Sequence, residues 1–269
     1  MAAARNALDP SLGIEMVRKV VNRIRERRFL ESSPLRSQIC SDVRLFCRAL
    51  DPDLWIEAEE RSAQLCEQAR KKLSTLDYDL GGPAHLALLY FFVRYKRPRV
   101  VVETGVAAGF SSTVILSALA ANGGGRLYSS DLPYFRLYNP EQYIGYVVPD
   151  ELKLNWSCLT KGDRQNLPKI LSMVDKIDLF HHDSDKMYHS RMWAMKQVAP
   201  KLSENAAVII DDVNVNSFFF DYVNLNKLGF APITNVTKPP RGVPRFWEER
   251  LRTGRNTAGI GALRPIRRG

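Results

Sequence analysis

Apolar residues recur along this chain in two different rhythms. Up to about residue 80 the spacing is helical. Ile14, Val17, Val21 and Ile24 mark one face of a segment whose other positions are charged. Residues 41–50 and 54–73 repeat that character, with Ser32-Ser33-Pro34 and Asp51-Pro52-Asp53 as punctuation. Beyond Gly81-Gly82-Pro83 an apolar helix at 84–95 leads into a second rhythm, of short strand-like runs alternating with helical patterns. The runs lie at 100–103, 126–131, 155–159, 176–183 and 206–212, and the helical patterns at 114–119, 166–174, 188–202 and 218–228. After Gly229, residues 230–236 and 258–263 supply two last strands around a Pro-rich loop at 238–244. The alternation predicts an α/β fold: a Rossmann-like, seven-stranded, mostly parallel sheet with helices on both faces. The helical residues 1–80 form an N-terminal extension to a sheet domain at 81–269. That extension can cap a sheet edge, roof the active site or make a homodimer contact, and the pattern does not choose among these.

The stretch 100–112, VVVETGVAAGFSS, reads as strand, glycine turn and helix. Gly105 and Gly109 allow a tight turn and a close approach to a ligand, and the helix start exposes unpaired N–H groups to the same crevice. The turn is not G-x-G-x-x-G and has no P-loop lysine, so it offers a diphosphate little. Glu103 would repel phosphate and suits a positive or hydrogen-bond-donating ligand. A tight turn with no ligand is the competing reading.

Strands at 100–103, 126–131, 176–183 and 206–212 all end on acids: Glu103, Asp131, Asp183 and the pair Asp211-Asp212. In a parallel sheet these ends share one edge, where idle carboxylates would repel one another. Asp131 is placed to accept from a ribose diol. Asp183, Asp211 and Asp212 are oxygen ligands suited to a hard divalent cation such as Mg²⁺, or else caps of the following helices. Beside such a cation Lys186 would be driven towards its neutral form and serve as general base; otherwise it is a solvated lysine. His181 and His182 point to opposite sheet faces, as ligands, hydrogen-bond donors or core histidines. His85 reads as structural and His189 is uncommitted. The long connection 132–154, with Tyr134, Phe135, Tyr138, Tyr143 and Tyr146, is either a lid over the crevice or a packed excursion.

Taken together these motifs resemble the class I S-adenosylmethionine-dependent methyltransferases. Within them they are similar to the metal-dependent O-methyltransferases of the catechol and caffeoyl-CoA type and related natural-product or sugar enzymes. The family's E-x-G-x-x-x-G-x-S appears as Glu103, Gly105, Gly109 and Ser111. The resemblance implies that these residues meet the methionine part of the cofactor and that Asp131 binds the ribose. It places Asp163, Arg164 and Gln165, in Gly162-Asp163-Arg164-Gln165, beside the adenine. The family's D-x-x-K appears as Asp183 and Lys186, and its Asp-Asn pair as Asp211-Asp212, a departure that adds charge. The implied reaction moves a methyl group from S-adenosylmethionine to a hydroxyl of a small molecule. A divalent metal on Asp183, Asp211 and Asp212 assists, and Lys186 or His182 takes the proton. The readings in competition are a metal-independent N- or O-methyltransferase, an NAD-linked dehydrogenase and a binding protein with a vestigial cofactor site.

Composition narrows this further. The 269 residues are 45% hydrophobic and 25% charged, an ordinary globular balance. The net charge of +10 gathers near the ends, in Arg25, Arg27 and Arg28 and in a tail from Arg241 to Arg268. Such a surface can meet nucleic acid, an anionic substrate or a membrane face, or simply be solvated. No nucleic-acid module or D/N-P-P-Y motif is present, so nucleic acid is not an expected partner. Cys40, Cys47, Cys66 and Cys158 lack metal spacing and read as free thiols. No apolar run reaches membrane-span length and no signal-peptide core is visible, so a cytoplasmic enzyme is expected.

Overall fold

A computed structural model describes residues 10–26, 41–83, 85–213, 215–226, 228–234 and 257–265. Cys40, the turn at 32–34, the loop at 238–244 and the tail arginines up to Arg255 and from Arg267 lie outside these residues. Four helices precede the main strands: α1 (Pro10–Glu26), α2 (Val43–Leu50), α3 (Pro52–Leu73) and α4 (Leu86–Lys96). α3 starts where Asp51 accepts from the Leu54 N–H at 2.9 Å, with Pro52 at a position that needs no donor. Then β2 (Val100–Thr104), α5 (Phe110–Ala121), β3 (Arg126–Ser130), β4 (Trp156–Leu159), α6 (Asp163–Met173), β5 (Ile177–His182), α7 (Tyr188–Val198), β6 (Leu202–Asp211) and α8 (Phe218–Leu225) follow. The last two strands are β7 (Leu228–Thr234) and β8 (Thr257–Pro265).

The sheet order is β1-β7-β8-β6-β5-β2-β3-β4, where β1 is only Ser41–Asp42. This corrects the expectation of seven strands. Five strands, β6-β5-β2-β3-β4, form the parallel block. β8 runs antiparallel to both β6 and β7, and β1 pairs parallel with β7. A two-residue strand carries no readable alternation, so the sequence pattern could not show β1. The helix expected to reach residue 202 ends at Val198, because Pro200 cannot continue it and Leu202 already opens β6.

The parallel block is buried on both faces. Val101, Leu127, Leu179, Ala207 and Ile209 join a core with α2–α5, centred on Phe91 and Trp55. Val102, Phe180, Val208 and Ile210 join the other with α6–α8. This is why the start of β2, Val100–Val102, and the second half of β6, Ala206–Ile210, read as continuous apolar runs rather than alternating ones. The N-terminal helices are fastened by charge as well as packing. Glu57 on α3 accepts from Arg94 Nε at 2.7 Å and from the Tyr90 hydroxyl at 3.0 Å, both on α4. From β2 the chain crosses to β3 on one side, and β5 lies on the other. That reversal opens a crevice beyond the carboxyl ends of β2 and β5, the place where open α/β sheets bind ligands.

Candidate functional site

The crevice is lined by the glycine turn (Gly105, Val106, Ala107, Ser111), the end of β3 (Asp131, Leu132, Tyr134) and the start of α6 (Gly162, Asp163, Arg164). The end of β5 adds His181, Asp183, Ser184 and Asp185; Ser190, Trp193, Asp211 and three residues of α1, Glu15, Arg18 and Lys19, complete it. Among the described residues it is the cavity into which most of the strand-end acids open.

Gly105 sits at φ +87°, and a Cβ there would lie 2.5 Å from the Asp183 carbonyl oxygen. Only glycine lets the β2 turn pass this close to the loop after β5. Gly109 has a different duty. Its φ is +99° and its missing Cβ makes room for Gly145 and Val148, so it admits the long connection rather than facing the crevice. That connection is mostly packed. Gly145 and Val147 donate to the Ala107 and Ala108 carbonyls at 2.9 Å, and Val147 and Val148 are buried. Only its first turn walls the crevice, through Tyr134, whose hydroxyl donates to the Leu80 carbonyl at 2.8 Å.

Glu103 is fully buried and does not line the crevice, which corrects its expected contact with the cofactor. It accepts from Ser111 and Ser112 at 2.6 Å and from Ser129 at 2.8 Å, with His181 Nδ1 at 3.5 Å. Burial works to neutralise it, but His181 and the serine hydroxyls overrule that and hold its pKa below the ordinary value. The consequence reaches the ligand indirectly. Ser111 spends its hydroxyl hydrogen in a bond to Glu103, so it offers the crevice only lone pairs, an acceptor for a donor such as an ammonium.

Asp131 accepts from the N–H groups of Val106 at 3.0 Å and Ala107 at 2.6 Å, and from Leu132 at 2.7 Å. Burial nonetheless pushes its pKa up. A carboxylate has about four acceptor sites, so one remains for a hydroxyl in the crevice. Asp163 accepts from the hydroxyls of Ser130 and Ser184, and burial raises its pKa to about 6. Arg164 lies 4.0 Å over the Trp193 ring, a stacked wall at the mouth. Gln165 is exposed and takes no part in the lining; its neighbour Asn166 is the buried one. The Asn166 amide donates to Ser130 Oγ and to the Asp131 and Leu159 carbonyls, and accepts from the Lys161 N–H.

The acids at β5 and β6 divide. Asp183 and Asp211 face the crevice, and burial followed by the Asp211 charge raises Asp183 to about 7. Asp212 does not join them. Its backbone is left-handed at φ 49°, its carboxylate bonds the Lys186 ammonium, and Arg191 donates to the Asp211 and Asp212 carbonyls. Among the described residues no three His, Cys, Asp or Glu side chains gather as a metal site. Asp183, Asp211 and Asp212 therefore do not gather as the expected Mg²⁺ set: the Lys186 ammonium pairs with Asp212 and stands 3.5 Å from Asp183. Lys186 is likewise not a neutral base. Burial opposes its charge, yet Asp183 and Asp212 outweigh burial and raise its pKa. His182 points to the opposite core, stacked on Phe180 with Nδ1 against the Thr104 hydroxyl. Burial lowers its pKa to about 3, so it is neither at the crevice nor a useful base. His181 takes that side instead, and His85 lies 3.5 Å from Asp211. The sequence offered His181 as a ligand or donor and Tyr134 as part of a lid, read His85 as structural, and missed Trp193 and Ser190.

Residues 102–213 match a family model described as a methyltransferase domain. The fold is that of the class I methyltransferases. An O-methyltransferase from Streptomyces achromogenes involved in tomaymycin synthesis, in complex with SAM, is 16% identical with a TM-score of 0.52; 75% of this chain and 88% of that one are covered. An O-methyltransferase from Bacillus cereus in complex with SAH is 13% identical with a TM-score of 0.56, covering 75% and 91%. A methyltransferase from Geobacter sulfurreducens is 14% identical with a TM-score of 0.52, covering 74% and 89%. No curated protein matches the chain. The resemblance drawn from the motifs thus stands. The matched residues, β2 to the end of β6, carry most of the crevice, while α1 adds a charged edge to it.

Proposed function

We propose that this chain is an S-adenosylmethionine-dependent methyltransferase acting on a hydroxyl of a small molecule, with residues 81–269 as the catalytic unit and 1–80 as its cap. The observation that carries the reading is the crevice at the β2/β5 reversal, floored by a glycine turn that Asp131 caps. The cofactor supplies an electrophilic methyl on a sulfonium. The chain's residues then divide the remaining work. Ser111 and the Gly105–Ala107 backbone take the amino-acid end, Asp131 a ribose hydroxyl, and Asp163 and Arg164 the base.

On the far wall Asp183 and Asp211 sit where an acceptor hydroxyl would approach. Two close carboxylates cannot both ionise cheaply, so the pair holds one proton and can receive another. As the acceptor oxygen bonds to the methyl carbon, the carbon–sulfur bond breaks and its electrons stay on sulfur. The hydroxyl proton passes to the Asp183–Asp211 pair. The pair is then neutral, and the Lys186 ammonium stays paired with the Asp212 carboxylate. No metal step enters this reading.

Titration calorimetry with S-adenosylmethionine tests it. The wild-type chain should bind saturably and Asp131→Ala should weaken binding at least tenfold. Absence of wild-type binding would return the chain to an α/β domain without an assigned cofactor.

A further inference from the structure

α1 is built inside out relative to a core-packed helix. Its charged residues turn to the crevice: Glu15 is 7% exposed, Arg18 pairs with it, and Lys19 lines the same opening. Its apolar residues turn to solvent. Ile14 is 60% exposed, Val17 65%, Val20 53% and Val21 39%. At helical spacing these four share one sector, and nothing among the described residues covers it. Runs of exposed β-branched residues on one helix mark a surface that meets something apolar.

The surrounding charge selects the occupant. Besides the crevice-facing Glu15, Arg18 and Lys19, the sequence from 22 to 28 holds four basic residues (Arg23, Arg25, Arg27, Arg28) against one acid, Glu26. Pairing this face with a second copy would bring two such basic segments together, an arrangement that repels. A surface that is apolar below and anionic above would satisfy both. A basic amphipathic segment lying in the interface of an anionic bilayer has this make-up, apolar side chains below the headgroups and basic sequence beside them. The chain's net charge of +10 acts in the same direction.

We propose that the outward face of α1, through Ile14, Val17, Val20 and Val21, docks the protein on an anionic lipid surface. The assignment is independent of the reaction proposed above. It places the crevice mouth, edged by the other face of the same helix, next to the membrane.

Co-sedimentation of the full chain with vesicles tests this. Vesicles of phosphatidylcholine mixed with phosphatidylglycerol should retain the protein at low salt, and phosphatidylcholine alone should retain at least tenfold less. The double variant Val17→Glu/Val21→Glu should lose at least tenfold of the binding. The milder Ile14→Ser/Val17→Ser should lose part of it, with melting temperatures unchanged because these positions touch solvent. The proposal is overturned if the wild type ignores the anionic vesicles or if both variants bind as the wild type does. It is equally overturned if sedimentation equilibrium shows a dimer that the same substitutions abolish, which would give the face to a second copy.

Discussion

Asp163 shows how one buried carboxylate couples the crevice to pH. Its pKa is raised from 3.8 to about 6 by burial, against the two serine hydroxyls that favour its charge. A folded-state pKa above the unfolded one means the native protein holds the proton more tightly. The stability this confers is complete below pH 3.8 and is lost as the pH rises through about 6. At neutral pH the shift costs at most about 3 kcal/mol, at about 1.4 kcal/mol per pKa unit. Asp163→Asn should therefore flatten the fall in melting temperature between pH 4 and 7 and leave the protein at least as stable at pH 7. Thermal unfolding across that range checks it; an unchanged slope would mean that Asp163 titrates normally. The same residue scale explains the misplaced bases. His181 and His182 are adjacent, and which of them faces the crevice depends on the β2/β5 register, in which His181 pairs with Glu103. Alternation alone says that they differ and not which way. Asp212 was equally hidden, since a left-handed aspartate cannot be recognised from its neighbours.

At the scale of elements, β2, its turn and α5 were legible because everything that makes them is local: a β-branched run, a glycine where φ is positive, and an apolar helix. The strand-end acids were legible for the same reason. The long connection was legible only as an alternative between lid and packed excursion, and what α7 contributes was not legible at all. Trp193 reaches the crevice through packing between segments far apart in sequence, and no spacing rule records that. The contact of the β2 turn with the β5 loop gives the sharpest test at this scale. Gly105→Ala adds a methyl 2.5 Å from the Asp183 carbonyl oxygen and forces a side chain to φ +87°. It should destabilise the fold by more than about 1 kcal/mol and abolish measurable S-adenosylmethionine binding even where the variant remains folded. Urea unfolding and calorimetry separate the two effects.

Over the whole molecule, cations belonging to the chain stand where a bound ion was expected. Lys186 and Arg191 neutralise the β5 and β6 ends, so methyl transfer should continue undiminished in EDTA, and Mg²⁺ should not raise it. Loss of turnover in EDTA with recovery on Mg²⁺ would show that Asp212 leaves Lys186 to bind metal. The rest of the crevice is equally self-supplied. With one side-chain amide Asn166 ties together the β3 end, the β4 end and the Lys161 backbone between β4 and α6. The walls that would hold ribose and base are thus ordered when the chain folds, before any small molecule arrives. Capture then has little conformational entropy left to remove, so the bound and free forms should differ little in shape on that side, and complementarity there rests on a rigid mould.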